Sequence, residues 1–113
     1  MEQRPEFASA VVDRSKVVDY LLGSGSIASR AKGRFFGSLG YVADRWEDLA
    51  DALRAQAHQG ELLVTHTRSG TKYVTTGEID APNGRRYKII SVWIAEGSTL
   101  RLVTAYPAKE ATP

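Results

Sequence analysis

The stretch DRWEDLADALRAQAHQGELLVTHT, residues 44–67, contains the change of hydrophobic period that decides the fold. Up to Gly60, its apolar residues recur at steps of three and four, the spacing of one face of an amphipathic helix. Beyond Gly60, Leu62 and Val64 alternate with their neighbours at period two, as in a strand with one buried face. The chain is therefore predicted to change from helix to strand at this glycine.

The helical pattern extends towards the N-terminus and the strand pattern towards the C-terminus. Two further helices are predicted over about 15–22 and 27–39, and Gly40 is suited to a left-handed stop. Short turns rich in glycine separate four predicted strands, which cover about 62–67, 71–79, 86–95 and 100–106. This order predicts the α+β class, with two to three N-terminal helices packed on one face of a four-stranded antiparallel sheet. The other face of such a sheet is free to bind something.

The chain has 113 residues, a formal net charge of +2 and no cysteine. We expect a flexible tail over 1–12, a single domain over 13–107 and a flexible tail over 108–113. The lack of cysteine excludes disulfides and thiolate metal sites. Neither a membrane-spanning apolar run nor a signal-peptide pattern is present, so we expect a cytoplasmic protein with no membrane contact. Histidines and carboxylates do not cluster as metal ligands, and no nucleotide-binding glycine loop occurs, so neither metal nor cofactor is expected.

Basic residues concentrate in two places. Residues 26–40 contain three basic side chains and no acid, and residues 85–88 contain three more. Two such patches can hold a polyanion such as RNA. The alternative is that both are solvated faces of an ordinary surface, and the charge pattern alone leaves both interpretations open.

Lys32 is the unusual residue of the second predicted helix. On a helical wheel the apolar arc runs from Phe35 through Leu39 to Phe36, and Lys32 falls inside it. The arginines at positions 30 and 34 fall on the opposite side. Because a buried unpaired ammonium group is costly, Lys32 either snorkels to water, forms a structural ion pair, or enters a polar site where its charge has a use.

Seven short pieces occur in a fixed order between residues 16 and 107. They are Lys16-x-x-x-Tyr20-Leu21-Leu22, Ser29-x-x-Lys32-x-x-Phe35-Phe36-x-x-Leu39-Gly40, Trp46-x-x-Leu49, Gly70-Thr71-Lys72-Tyr73-Val74, Pro82-Asn83-Gly84-Arg85, Val92-Trp93-Ile94 and Leu102-Val103-Thr104-Ala105-Tyr106-Pro107. The ordered set resembles a small bacterial family without assigned function, domain of unknown function 6883. Members of that family occur alone and at the C-terminal ends of large secreted proteins, where toxin domains lie.

The closing Thr-Ala-Tyr-Pro is similar to the last strand of bacterial toxin nucleases of the barnase, EndoU, colicin and RelE superfamily. Those proteins also have N-terminal helices followed by a four-stranded antiparallel sheet. The resemblance implies a toxin-like domain that cleaves or binds RNA without a metal ion. The chain departs from the family at residues 25–29, where Gly-Ser-Ile-Ala-Ser replaces a His-Pro-x-Gly type stretch. A histidine base is therefore missing at that point.

RNA cleavage by the 2′-hydroxyl needs a base, an acid, and a cation or hydrogen-bond donor that stabilises the phosphorane charge. The catalytic candidates are Lys32, Thr104, Tyr106 and His66, and the substrate-binding candidates are Lys72, Arg85, Arg101 and Trp93. Thr104 and Tyr106 are two residues apart on one predicted strand, so we expect them to share a face, together with Leu102.

Each candidate also has a structural interpretation. Thr104 can pair across the sheet, Tyr106 can cover an edge, and His66 can be an ordinary residue at a strand end. If the isoleucines of the third strand face the helices, Trp93 lines the open face with Tyr87 and Ser91. There it can stack on a base, cover the sheet or form a dimer contact.

Two functions therefore remain open from the sequence. The first is a toxin-like, metal-independent domain that cleaves or binds RNA. The second is a non-catalytic protein-interaction module of immunity or adaptor type, with an unknown partner.

Overall fold

The computed structural model describes residues 5–23 and 27–108, and for residues 27–29 only the backbone. The helices are a π-helix Lys16–Leu21, α1 Ile27–Ser38 and α2 Trp46–Gln59, with short 3₁₀ turns at Phe7–Ser9 and Ala43–Arg45. The strands are β1 Glu61–Thr67, β2 Gly70–Asp80, β3 Arg86–Glu96 and β4 Thr99–Pro107. They form one antiparallel sheet in the order β1-β2-β3-β4. The α+β class and the helices-then-sheet arrangement are confirmed. No helix among the described residues is long and apolar enough to cross a lipid bilayer.

The core lies between α2 and one face of the sheet. Leu49 and Leu53 of α2 are fully buried, as are Ile89 and Trp93 of β3. The Trp93 ring packs edge-on against Phe7, with 5.4 Å between the ring centroids. The sequence interpretation that placed Trp93 on the open face is therefore wrong, and this ring is not exposed for stacking on a base.

The same correction applies to the two neighbours of Trp93 on its face. Ser91 is buried and its hydroxyl donates to Gln56 Oε1 of α2 over 2.6 Å, while Tyr87 packs on Phe35 of α1. The run from residue 89 to residue 94 is nearly all apolar, so hydrophobicity alone did not reveal which alternate positions face the helices. The three residues that were predicted to line the open face all point to the helices.

A buried polar network joins α2 to the centre of the sheet. Gln56 Nε2 donates to the carbonyl oxygen of Ile89 over 2.7 Å, and the Thr75 hydroxyl donates to Gln56 Oε1 over 3.1 Å. Trp93 Nε1 donates to Ser91 Oγ over 2.8 Å. Among the described residues no buried side-chain polar atom lacks a partner, so this network fixes α2 on the sheet without leaving an unsatisfied group.

Residues 5–12 differ from the flexible tail expected over 1–12. Phe7 is fully buried, and the backbone amide of Val11 donates to the carbonyl of Leu100 over 2.7 Å. The backbone amide of Leu102 donates to the carbonyl of Val11, so this segment covers part of the outer edge of β4. Burial of one aromatic ring and pairing along a sheet edge explain why this segment is held in place. Of the expected tails, residues 1–4 and 109–113 lie outside the described residues.

A β-bulge in β4 changes which residues share a face. Trp93 pairs with Leu102 and Val92 pairs with Thr104, so Val103 is an extra residue on β4. Leu102 is consequently buried on the helix side, whereas Thr104 lies on the open side in one row with Val92. The expectation that Leu102 and Thr104 share a face is wrong because the bulge shifts the alternation by one residue.

Candidate functional site

Tyr20 is the residue on which three other polar side chains converge. It lies in the π-helix, a rare element that often occurs at functional sites. The backbone amide of Leu22 bonds the carbonyl of Val17, five residues earlier, over 2.8 Å. In this conformation the Lys16 ammonium nitrogen lies 5.1 Å from the centroid of the Tyr20 ring, which is a cation–π contact.

Helix α1 brings Lys32 to the same ring. The Lys32 ammonium nitrogen lies 5.2 Å from the centroid of the Tyr20 ring. Gly33 makes this approach possible, because a Cβ atom there would collide with the backbone oxygen of Gly23. Lys32 is half-buried, while Arg30 is exposed, so the orientation derived from the helical wheel is confirmed.

Strand β4 supplies the third side chain. Thr104 Oγ1 donates a hydrogen bond to the Tyr20 hydroxyl over 3.4 Å. The π-helix contacts β4, which is an edge strand of the sheet, and this hydroxyl lies where the two elements meet. We refer to Lys16, Tyr20, Lys32 and Thr104 as the Tyr20 cluster.

The surroundings of Tyr20 favour its ionised form. The hydrogen bond from Thr104 is the largest influence that lowers the pKa of Tyr20, and burial opposes it by raising the pKa. A hydrogen bond from Lys32 and the positive charges of Lys32 and Lys16 lower the pKa further, so the net direction is downward. Hydrogen-bond donors and cations around the phenolic oxygen lower the pKa because they stabilise the phenolate.

No acid in the part of the chain that the structure describes forms an ion pair with either lysine of the cluster. Ion pairs between described residues join Arg45 to Asp48, Arg54 to Asp51, Arg86 to Asp80 and Arg101 to Asp13. None of these pairs includes Lys16 or Lys32. The Tyr20 cluster therefore combines two uncompensated ammonium groups with two hydroxyl groups, which is a combination suited to an oxyanion.

Two predicted site residues lie on the same strand as Thr104. Tyr106 is paired with Ile90, has 37% of its surface exposed and shares the open face with Thr104, as the sequence predicted. Arg101 lies three residues before Thr104 and is tied to Asp13 by an ion pair of 2.7 Å. Its charge is already compensated, so it is less suited to a phosphate contact than the two lysines.

The other predicted site residues lie elsewhere. His66 is on β1, at the opposite edge of the sheet from Thr104, and its Nδ1 lies 3.3 Å from Thr71 Oγ1. Three strand spacings separate β1 from β4, roughly 14 Å. Lys72 is exposed on β2, and Arg85 is exposed in the turn before β3, where its amide donates to Asn83 Oδ1. His66 and the Tyr20 cluster therefore do not form one site.

Sequence reasoning did not give Lys16 and Tyr20 a role, although both belong to the pieces that carried the family resemblance. The signal was their spacing of four residues, which places side chains on one side of a helix. What the spacing could not show is that Lys32 and Thr104, from distant elements, contact the same phenol. No group of three or more potential metal-ligating side chains occurs within the ranges 5–23 and 27–108.

A family model, Domain of unknown function (DUF6883), matches residues 3–109. The chain belongs to this family. The sequence resemblance to DUF6883 is thereby confirmed, and two of the pieces on which that resemblance was based, Lys16-x-x-x-Tyr20 and Ser29-x-x-Lys32, include three residues of the Tyr20 cluster.

A solved structure shares the fold of this DUF6883 domain. It is titled a contact-dependent growth inhibition toxin–immunity protein complex from Klebsiella pneumoniae 342. The matched chain is 18% identical, with a TM-score of 0.73, and the match covers 93% of this chain and 98% of that chain. At this identity the likeness shows the fold alone. No curated protein matches the sequence.

Proposed function

We propose that this chain is a toxin-type domain that binds RNA and cleaves it without a metal ion, and that the reaction takes place at the Tyr20 cluster. One observation carries the proposal: two lysines and a threonine from three separate elements converge on one tyrosine, and no carboxylate within 5–23 and 27–108 forms an ion pair with either lysine. Convergence of uncompensated cations and hydroxyl donors is the arrangement that stabilises a phosphorane.

Each group of the cluster has its own role in the cleavage reaction. The attacking 2′-oxygen loses a proton as it bonds to phosphorus, and the departing 5′-oxygen gains one as its bond breaks. Lys32 stabilises the extra negative charge on the phosphoryl oxygens, and Thr104 holds the Tyr20 hydroxyl in place. The Tyr20 hydroxyl, whose pKa is lowered, gives its proton to the departing 5′-oxygen, and the proton of the attacking 2′-hydroxyl passes to water.

Other residues would contact the RNA beyond the reacting phosphate. Tyr106 shares the open face with Thr104 and is exposed. Lys72 and Arg85 are exposed cations that can contact flanking phosphates. The structural likeness to a chain from a toxin–immunity complex is compatible with a toxin-type domain and equally with an immunity-type module.

The test uses purified chain, total tRNA and EDTA. We expect the wild type to cleave tRNA, and Thr104→Val to cleave it about tenfold or more slowly, because valine keeps the shape but removes the hydroxyl that orients Tyr20. Thr65→Val is the matched control, since Thr65 is an exposed threonine of β1 and should cleave like the wild type. Intact tRNA after incubation with the wild type would contradict the proposal.

A second candidate function is a protein-interaction module of immunity or adaptor type. Its specific support is the apolar open face, where Leu63, Val103 and Tyr106 are exposed by 64%, 39% and 37%. Such a module would bind its partner through this face and leave RNA untouched. The same assay separates the two candidates, because only the first predicts cleavage that depends on Thr104.

A further inference from the structure

We propose that the Tyr20 cluster is a binding site for one doubly charged phosphate group, with Lys16 as a second cation that faces the same anion as Lys32. The biological ligand, a phosphate of RNA, rests on the proposed function. The site itself rests on the geometry of four side chains, two of which, Lys16 and Tyr20, no resemblance assigned to a role.

The charge balance of the cluster selects the ligand. Two ammonium groups lie within 5.1 and 5.2 Å of one ring centroid, and the described residues provide them with no carboxylate. The face of a tyrosine ring attracts cations, but it carries no net charge and leaves the mutual repulsion of the two lysines in place. The two negative charges of a dianion balance the two ammonium groups and remove their repulsion, whereas a monoanion balances only one of them.

The hydrogen-bonding capacity of the cluster fits the same ligand. The Tyr20 oxygen accepts a hydrogen bond from Thr104, which leaves the phenolic proton free to be donated to an anion. Each lysine adds up to three donors on a flexible stem. A phosphate at the hydroxyl edge of Tyr20 would therefore receive bonds from Tyr20, Lys16 and Lys32 together.

The charge preference connects this site to the reaction. An internal phosphodiester of RNA carries one negative charge, whereas the phosphorane formed during attack carries two when unprotonated. A site matched to two charges binds the phosphate more tightly as the reaction proceeds, which is the condition for catalysis rather than simple binding. Lys16 is thus assigned a role in favouring the doubly charged phosphorane over the singly charged phosphodiester, in addition to the role of Lys32.

The first test is binding of inorganic phosphate, measured by calorimetry near neutral pH at fixed ionic strength. We expect the wild type to bind phosphate, and Lys16→Met and Lys32→Met each to bind it about tenfold or more weakly, because each removes one charge-assisted contact. Arg68→Met is the control, since Arg68 is an exposed cation in the turn between β1 and β2 that lies outside the cluster and outside the proposed RNA contacts, and it should bind like the wild type. Equal binding by Lys16→Met and the wild type would overturn the proposal.

A second readout follows the phenol directly. The tyrosinate absorbance of the wild type minus that of Tyr20→Phe isolates the titration of Tyr20. The cations of the cluster help to lower the pKa of Tyr20, so an anion that neutralises them should move this titration to higher pH than in chloride of equal ionic strength. A titration that is the same in phosphate and chloride would contradict the site.

The two tests separate this site from the proposed function. Phosphate binding that depends on Lys16 and Lys32, combined with intact tRNA, would support the site and refute only the cleavage. Cleavage that depends on Thr104, combined with no phosphate binding by the wild type, would refute the site and keep the cleavage.

Discussion

Replacing Trp93 with alanine is expected to lower the free energy of unfolding by about 3–5 kcal/mol, the usual range for removing a fully buried large aromatic side chain. Trp93 is fully buried at the centre of β3 and packs edge-on against Phe7. Its loss would leave a cavity under the segment that carries Phe7 and would remove the donor to Ser91 Oγ. For a domain of 113 residues, this is a large part of the total stability.

Urea unfolding of Trp93→Ala and Trp93→Phe, followed by far-ultraviolet circular dichroism, checks this prediction. Phenylalanine keeps much of the contact with Phe7 but cannot donate to Ser91, so we expect a smaller loss of about 1–3 kcal/mol. A loss below 1 kcal/mol for Trp93→Ala would contradict the buried position of the ring.

Replacing Lys32 with methionine is expected to lower the rate of tRNA cleavage by about 10²–10³-fold, which is the typical effect of removing one group that stabilises developing charge. Methionine keeps the length and the apolar stem that packs in the half-buried position. A lower cleavage rate would therefore be due to the missing positive charge. The pKa of Tyr20 should also rise, because the hydrogen bond and positive charge from Lys32 both lower it.

Arg68→Met is the control for this measurement, because it removes one exposed positive charge from the turn between β1 and β2 without touching the cluster or the proposed RNA contacts. Single-turnover cleavage of tRNA in EDTA gives the rates, and thermal unfolding shows whether each variant is folded. A folded Lys32→Met variant that cleaves at the wild-type rate would exclude Lys32 from the reaction.

The helix-to-strand change at Gly60 and the four-strand sheet were predictable because each depends on local periodicity. The orientation of β3 was not, because its central run is apolar on both faces and no period identifies the buried one. The position of residues 5–12 was not predictable either, since it depends on one buried ring and on pairing with the edge of β4. These are contacts between distant parts of the chain.

The candidate site was predictable only where it depends on local periodicity. The angular position of Lys32 follows from the helical period alone, which places it on the inner side of α1. Tyr20 has no local signature as a meeting point, because its partners Lys32 and Thr104 come from α1 and β4. The bulge at Val103, which shifts the register of β4 just before Thr104, leaves no mark in the alternation of the sequence.

The most direct test of the central claim is to map where RNA binds. The backbone amides of the isotopically labelled chain are followed by NMR while a short 2′-O-methyl RNA, which lacks the attacking hydroxyl, is added. We predict that the largest shifts occur around Lys16, Tyr20, Lys32 and Thr104, with small shifts along β1. Largest shifts around β1 and His66, with none at Tyr20, would contradict the account.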